Sequence, residues 1–66
     1  MKTTVLQSSV TALDLMSIIG NLDVGESLFV TNDQTARNVL SNAPLFLSGR
    51  FNVEVFTDYP TMERIA

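Results

Sequence analysis

The sequence predicts one α+β domain, residues 1–66, built from a small antiparallel sheet of about three strands packed with two helices. Three stretches predict it. Leu28 and Val30 alternate with Ser27, Phe29 and Thr31, the period-2 pattern of a strand. Ala36, Val39, Leu40, Ala43 and Leu47 recur at helical spacing and make one apolar face. Phe51, Val53 and Val55 then alternate with Asn52, Glu54 and Phe56, a second strand. The expected order is helix, strand, helix, strand, strand, with an optional leading strand.

That leading strand is Thr3 to Gln7, where Thr3, Thr4 and Val5 are β-branched; a frayed terminus is the alternative. The first helix follows. Thr11 stands three residues before Asp14, a capping arrangement that also sets a negative charge at the helix's positive end. Ala12, Leu15, Met16 and Ile19 follow helical spacing, and Leu13 and Ile18 widen the apolar face. Gly20-Asn21 ends it. A helix this apolar has to be covered, by the sheet or by a second copy of the chain.

Leu22 to Gly25 leads into the central strand, with Gly25 suited to a turn. Thr31, Asn32 and Asp33 are three N-cap candidates in a row, and Thr31 with Gln34 has capping-box spacing. Pro44 interrupts the second helix, since it lacks an N–H and its ring crowds the carbonyl of Leu40. The apolar spacing continues past it, which favours one kinked helix to Ser48 over a break near Asn42, with Gly49 as the stop. Arg50 to Thr57 reads as a strand, Asp58-Tyr59-Pro60 as a turn, and Thr61 to Ile65 as the return strand of a hairpin. Phe29 and Phe56 fall on the sheet face opposite Leu28 and Val30.

Composition narrows the function. Sixty-six residues without cysteine have neither a disulfide nor a thiolate metal site to reinforce the core. At ~0.05–0.15 kcal/mol per residue, total stability is roughly 3–10 kcal/mol. Self-association is the remaining common reinforcement, so a homodimer is an expectation to test. The apolar fraction of 45% and charged fraction of 17% are those of a globular chain, not a disordered one. No apolar run approaches the ~20 residues that span a bilayer, and Gln7, Ser8, Ser9 and Thr11 break up what would be a signal peptide. A cytoplasmic protein is the expectation.

Net charge is −3, unevenly spread. Asp14, Asp23, Glu26 and Asp33 occupy a stretch, Thr3 to Ala36, that holds no Lys or Arg. Four basic residues in all are few for neutralising phosphates. Histidine is absent along with cysteine, which removes the usual base near neutral pH, the thiol nucleophile and the common zinc ligands. The reading is therefore not an enzyme, with no cofactor and no metal.

Leu22-x-Val24-Gly25-Glu26-Ser27-x-Phe29-Val30, then Ala36-Arg37, Gly49-Arg50-Phe51 and Arg64-Ile65-Ala66, resemble a group of very small, mostly phage-encoded proteins. In that group a Val-Gly-Glu-Ser-x-Phe strand leads into an Ala-Arg helix, a Gly-Arg-x-Phe strand and a terminal hairpin ending Arg-Ile-Ala. The resemblance covers residues 22–66 and implies a source and a fold rather than a mechanism. One departure matters. The second strand and hairpin of those proteins are usually basic, whereas here the region reads Asn52-Val53-Glu54-Val55-Phe56 and Met62-Glu63. That removes much of the reason to expect nucleic-acid contact.

Two groups of site residues follow. Phe29, Phe56 and Tyr59 form an aromatic patch for a partner if the first helix leaves the outer sheet face open, and are core under residues 12–19 if it does not. Asp23 and Glu26 would add an acidic rim, against a plain reading as a loop residue and a solvated charge. Arg37, Arg50 and Arg64 are the residues for nucleic acid or another anion, against ordinary surface solvation. The first hypothesis is a non-catalytic phage-type accessory protein that binds, and in one version inhibits, a host or defence protein. The alternative is a dimeric nucleic-acid-binding regulator. A purely structural subunit is the third.

Overall fold

The computed structural model describes residues 2–66. The chain orders as β1 (Thr3–Val5), α1 (Ala12–Gly20), β2 (Ser27–Phe29), α2 (Gln34–Asn42), a 3-10 turn (Ala43–Leu45), β3 (Phe51–Glu54) and β4 (Thr61–Arg64). The α+β class is as expected. The sheet is not: it has four strands in the order β1-β2-β4-β3, and it is mixed. β1 pairs with β2 in parallel, while β4 lies antiparallel to both β2 and β3. The leading segment pairs in parallel because α1 crosses over between β1 and β2, as a parallel connection requires. Thus β1, β2 and β3 run the same way and finish at the same end.

One row of the register sets the core. Thr4, Leu28, Met62 and Val53 lie side by side across the four strands. Leu28 and Met62 are fully buried. Leu15 and Ile19 of α1 and Ala36 and Leu40 of α2 join them in a single cluster, so both helices cover the same face. Pro60 is buried at the end of the hairpin. The adjacent row, Val5, Phe29, Thr61 and Glu54, belongs to the other face, where Val5 and Phe29 keep 58% and 37% of their surface. The expectation that α1 buries Phe29 is overturned, because α1 docks beside α2 rather than on the far side of the sheet.

The helix ends differ from the sequence reading in two places. Thr11 caps α1 as expected, its hydroxyl accepting the N–H of Asp14 at 3.2 Å. For α2 the cap is Asp33, whose carboxylate accepts the N–H of Ala36 at 2.8 Å. Thr31 is not part of a capping box; its hydroxyl donates to the carbonyl of Leu6 at 3.0 Å and ties β2's exit to β1's. Nor does α2 kink through Pro44. It stops at Asn42, and Pro44 sits in the first turn of the 3-10 segment, where a missing N–H is no loss. Leu47 still packs against the core, so its helical spacing from Ala43 comes from a turn rather than a continued helix. Ala12 and Leu13 of α1 are exposed, Leu13 by 81%, so the covered stripe is narrower than its composition suggested.

β3 also ends early, at Glu54 rather than Thr57. Val55 keeps its contact with the core, but Phe56 leaves the sheet and is wholly exposed. It therefore does not share the open face with Phe29 as a strand residue would.

Candidate functional site

Three connections gather where β1, β2 and β3 finish: the loop from Leu6 to Thr11, the short link from Val30 to Asp33, and the hairpin loop from Val55 to Pro60. Hydrogen bonds hold them to one another. The Leu6 N–H donates to the carbonyl of Phe29 at 2.9 Å, and the Val30 N–H donates to that of Pro60 at 3.0 Å. The Ser9 hydroxyl donates to the Asp33 carboxylate at 3.1 Å, so the residue that caps α2 also anchors the first loop. In sheets with parallel strands this is the end at which loops commonly form binding sites.

Two open depressions adjoin there. One, of about 650 Å³, is lined by Val5, Phe29 and Tyr59, with Asn32 and Asp58 among its rim residues. The second, of about 560 Å³, is lined by Arg37, Asn38, Ser41 and Phe56, and shares Asn32 and Asp58 with the first. Tyr59 is 70% exposed. Phe56 and Tyr59 thus rise from one short loop, each over a separate depression. The loop is shaped locally: the hydroxyls of Thr57 and Thr61 both donate to the carbonyl of Tyr59, at 2.9 and 3.2 Å. The guanidinium of Arg37 is steered into the second depression by Asn32, whose side-chain oxygen accepts from it at 2.7 Å, with Gln34 more loosely at 3.4 Å.

The structure brings Phe29, Tyr59 and Phe56 to one end but takes the acidic pair away from them. Asp23 and Glu26 precede β2 and lie at the opposite end of that strand. Asp23 is exposed. Glu26 is not a surface charge: it is only 7% exposed, accepts the N–H of Asp23 at 2.9 Å and receives the Thr4 hydroxyl at 3.4 Å. Its carboxylate closes the turn around Gly25 and is used up in doing so.

The three arginines are also separated. Arg37 belongs to the loop end, whereas Arg50 and Arg64 flank the other end of the sheet. Arg64 is committed to the fold, donating to the carbonyls of Leu22 at 2.8 Å and Ala66 at 3.1 Å. Among the described residues, Arg37, Arg50 and Arg64 therefore do not line up as one basic stripe. Among the described residues, no three acids or other metal-ligating side chains cluster closely enough to hold an ion, and no helix is long and apolar enough to cross a membrane.

Several residues of this end carry no site signal in the sequence. The sequence places Val5 in a strand alone, yet its register beside Phe29 makes it part of the same apolar floor. Asn32, an N-cap candidate by sequence, and Asp58, a turn residue by sequence, line both depressions. Away from this end, past the C-terminus of α2, Leu45 and Phe46 are 77% and 76% exposed. The signal for Phe46 was present, since it falls off the 36/39/40/43/47 face. No family model, curated protein or solved structure matches the chain.

Proposed function

We propose that this chain is a non-catalytic accessory protein of the phage-encoded kind, acting in the host cytoplasm by binding a host or defence protein and inhibiting it through occupation of its surface. The observation that carries this reading is the pair Phe56 and Tyr59, 100% and 70% exposed on one loop beside Val5 and Phe29. Burying a side chain of that size is worth ~1.5–3 kcal/mol, and aromatic anchors with polar surroundings are what protein interfaces use. Asn32, Asp58 and Arg37 supply that polar surround. The absence of His and Cys and the acidic balance of the sequence support binding to protein over catalysis.

Capture from host-cell extract on the immobilised chain tests the reading. One protein in stoichiometric amount is expected with the native sequence, and its loss with Phe56→Ala/Tyr59→Ala. Unchanged capture by a folded double variant overturns the site. Duplex DNA binding that weakens steeply with salt overturns the partner class.

A further inference from the structure

β3 forms one edge of the sheet, with β4 as its strand neighbour. Arg50 donates its N–H to the carbonyl of Ala66 at 3.0 Å and accepts that of Ile65 at 2.8 Å, so its backbone groups face β4. Backbone direction alternates along a strand. Asn52 and Glu54 therefore also face β4, while Phe51 and Val53 turn their N–H and C=O groups outward along the edge. Their side chains are only half-buried, although they lie on the helix-covered face. Such an edge is a template for another strand.

We propose that the occupant of this edge is a second copy of the chain, joined antiparallel through β3 about a two-fold axis normal to the sheet. Such an axis pairs residues of the same sheet face, so register moves in steps that keep Phe51 and Val53 in phase. In one of these registers Phe51 lies opposite Val53 of the second copy, and each such pair exchanges both backbone hydrogen bonds. The same register sets Arg50 against Glu54 of the second copy on the open face, and by symmetry Glu54 against Arg50. Asn52 meets itself across the axis. Within Arg50–Glu54 no other in-phase register opposes unlike charges, and sliding further along sets Glu54 against Glu54. Both side chains are exposed, and at roughly 13 Å apart along their own strand they cannot pair with each other. The charges of this edge complement a reversed copy of itself.

The other edge lacks this property. Reversed pairing of β1 would set Thr3 against Val5, and neither carries a charge. A β3–β1 contact would be heterologous and would propagate instead of closing. Pairing through β3 joins two four-stranded sheets into one and covers Phe51 and Val53 where a chain this small has few other means of covering them.

Sedimentation equilibrium of the full chain, with circular dichroism to confirm folding, tests the proposal. A dimer is expected. Glu54→Arg should weaken it at least about tenfold by opposing Arg50 with arginine, and Arg50→Glu/Glu54→Arg should restore it to within about threefold of the original. Val53→Pro should also dissociate it, because proline removes an outward N–H that the single copy does not use. A chain that stays monomeric at ~100 μM overturns the proposal. So does a dimer indifferent to Glu54→Arg, which would point to another face, or a double reversal that fails to recover. If Val53→Pro does not fold, the charge-reversal pair decides by itself.

Discussion

Glu26 closes the turn before β2 by accepting the backbone N–H of Asp23 at 2.9 Å, from a position that is 7% exposed. Its second oxygen receives the hydroxyl of Thr4 on β1, so a single carboxylate joins the α1–β2 link to the neighbouring strand. Glu26→Ala takes a charged acceptor from the part-buried Asp23 N–H, and a loss of ~1–3 kcal/mol is expected from urea unfolding. Glu26→Gln keeps an oxygen for Asp23 and should lose less. Asp23→Ala should change stability by under ~0.5 kcal/mol, since the backbone rather than its exposed side chain makes the bond.

Asp33 and Thr31 are separable in the same way. Asp33→Ala removes the α2 cap together with the acceptor for Ser9, and a cost of ~1–2 kcal/mol is expected. Thr31→Val deletes a hydroxyl that serves Leu6, not the helix, and should cost ~0.5–1.5 kcal/mol. Helical circular dichroism, followed through thermal unfolding, distinguishes them: the Asp33 variant frays α2 and the Thr31 variant does not.

The three glycines make a graded series. Gly49 has φ +104°, and a Cβ there would stand 2.8 Å from the carbonyl oxygen of Ala66. Gly49→Ala should therefore cost more than ~1 kcal/mol and loosen the C-terminal residues held by Arg50. Gly25→Ala meets no atom within 4 Å but must hold φ +90°, so only backbone strain opposes it. Gly20 ends α1 with open space around it and no positive φ; Gly20→Ala should be neutral or stabilising by up to ~1 kcal/mol. Denaturant midpoints ordered otherwise would contradict the turn geometry.

Phe56 and Leu28 test the separation of partner surface from core. Phe56→Ala removes a side chain that touches solvent alone, so stability should change by under ~0.5 kcal/mol even if partner binding is lost. Leu28→Ala empties the centre of the sheet and should cost ~2–5 kcal/mol, enough to threaten folding in a chain of this size. Equal effects on stability would mean that the hairpin loop is packed.

Arg37 and Arg64 should differ just as clearly. Arg64→Ala breaks donations to Leu22 and Ala66 and should lower the unfolding midpoint, and Arg64→Lys should recover it only in part because one ammonium cannot reproduce the fork. Arg37→Ala gives up side-chain contacts with Asn32 and Gln34 at the surface and should leave stability nearly unchanged.

Local chemistry was readable from the sequence: the Thr11 cap, the helix starting near Asp33, the alternation of Phe51 and Val53, and the hairpin through Tyr59-Pro60 each depend on residues a few positions apart. The same short range explains the misreadings. Helical spacing through Leu47 could not reveal that Pro44 would open a new turn, and the charge of Glu26 gave no hint of the Asp23 and Thr4 groups that bury it. Phe29 could be named but not placed, because the strands beside it bring Val5 and Thr61 from remote segments, and which end of the sheet each of Asp23, Phe56 and the three arginines occupies follows from strand order rather than from local sequence.

The amino-acid order by itself determined two helices, a central strand, a hairpin and a chemistry poor in catalytic groups, since propensity, capping and periodicity act within a turn or two of chain. Only the tertiary structure decided that β1 joins in parallel, that both helices choose one face and leave Val5 and Phe29 open, and that β3 ends up at an edge. Those outcomes rest on strand register and on burial shared between distant segments, where a hydrogen bond or an apolar contact has no value until its remote partner is in position.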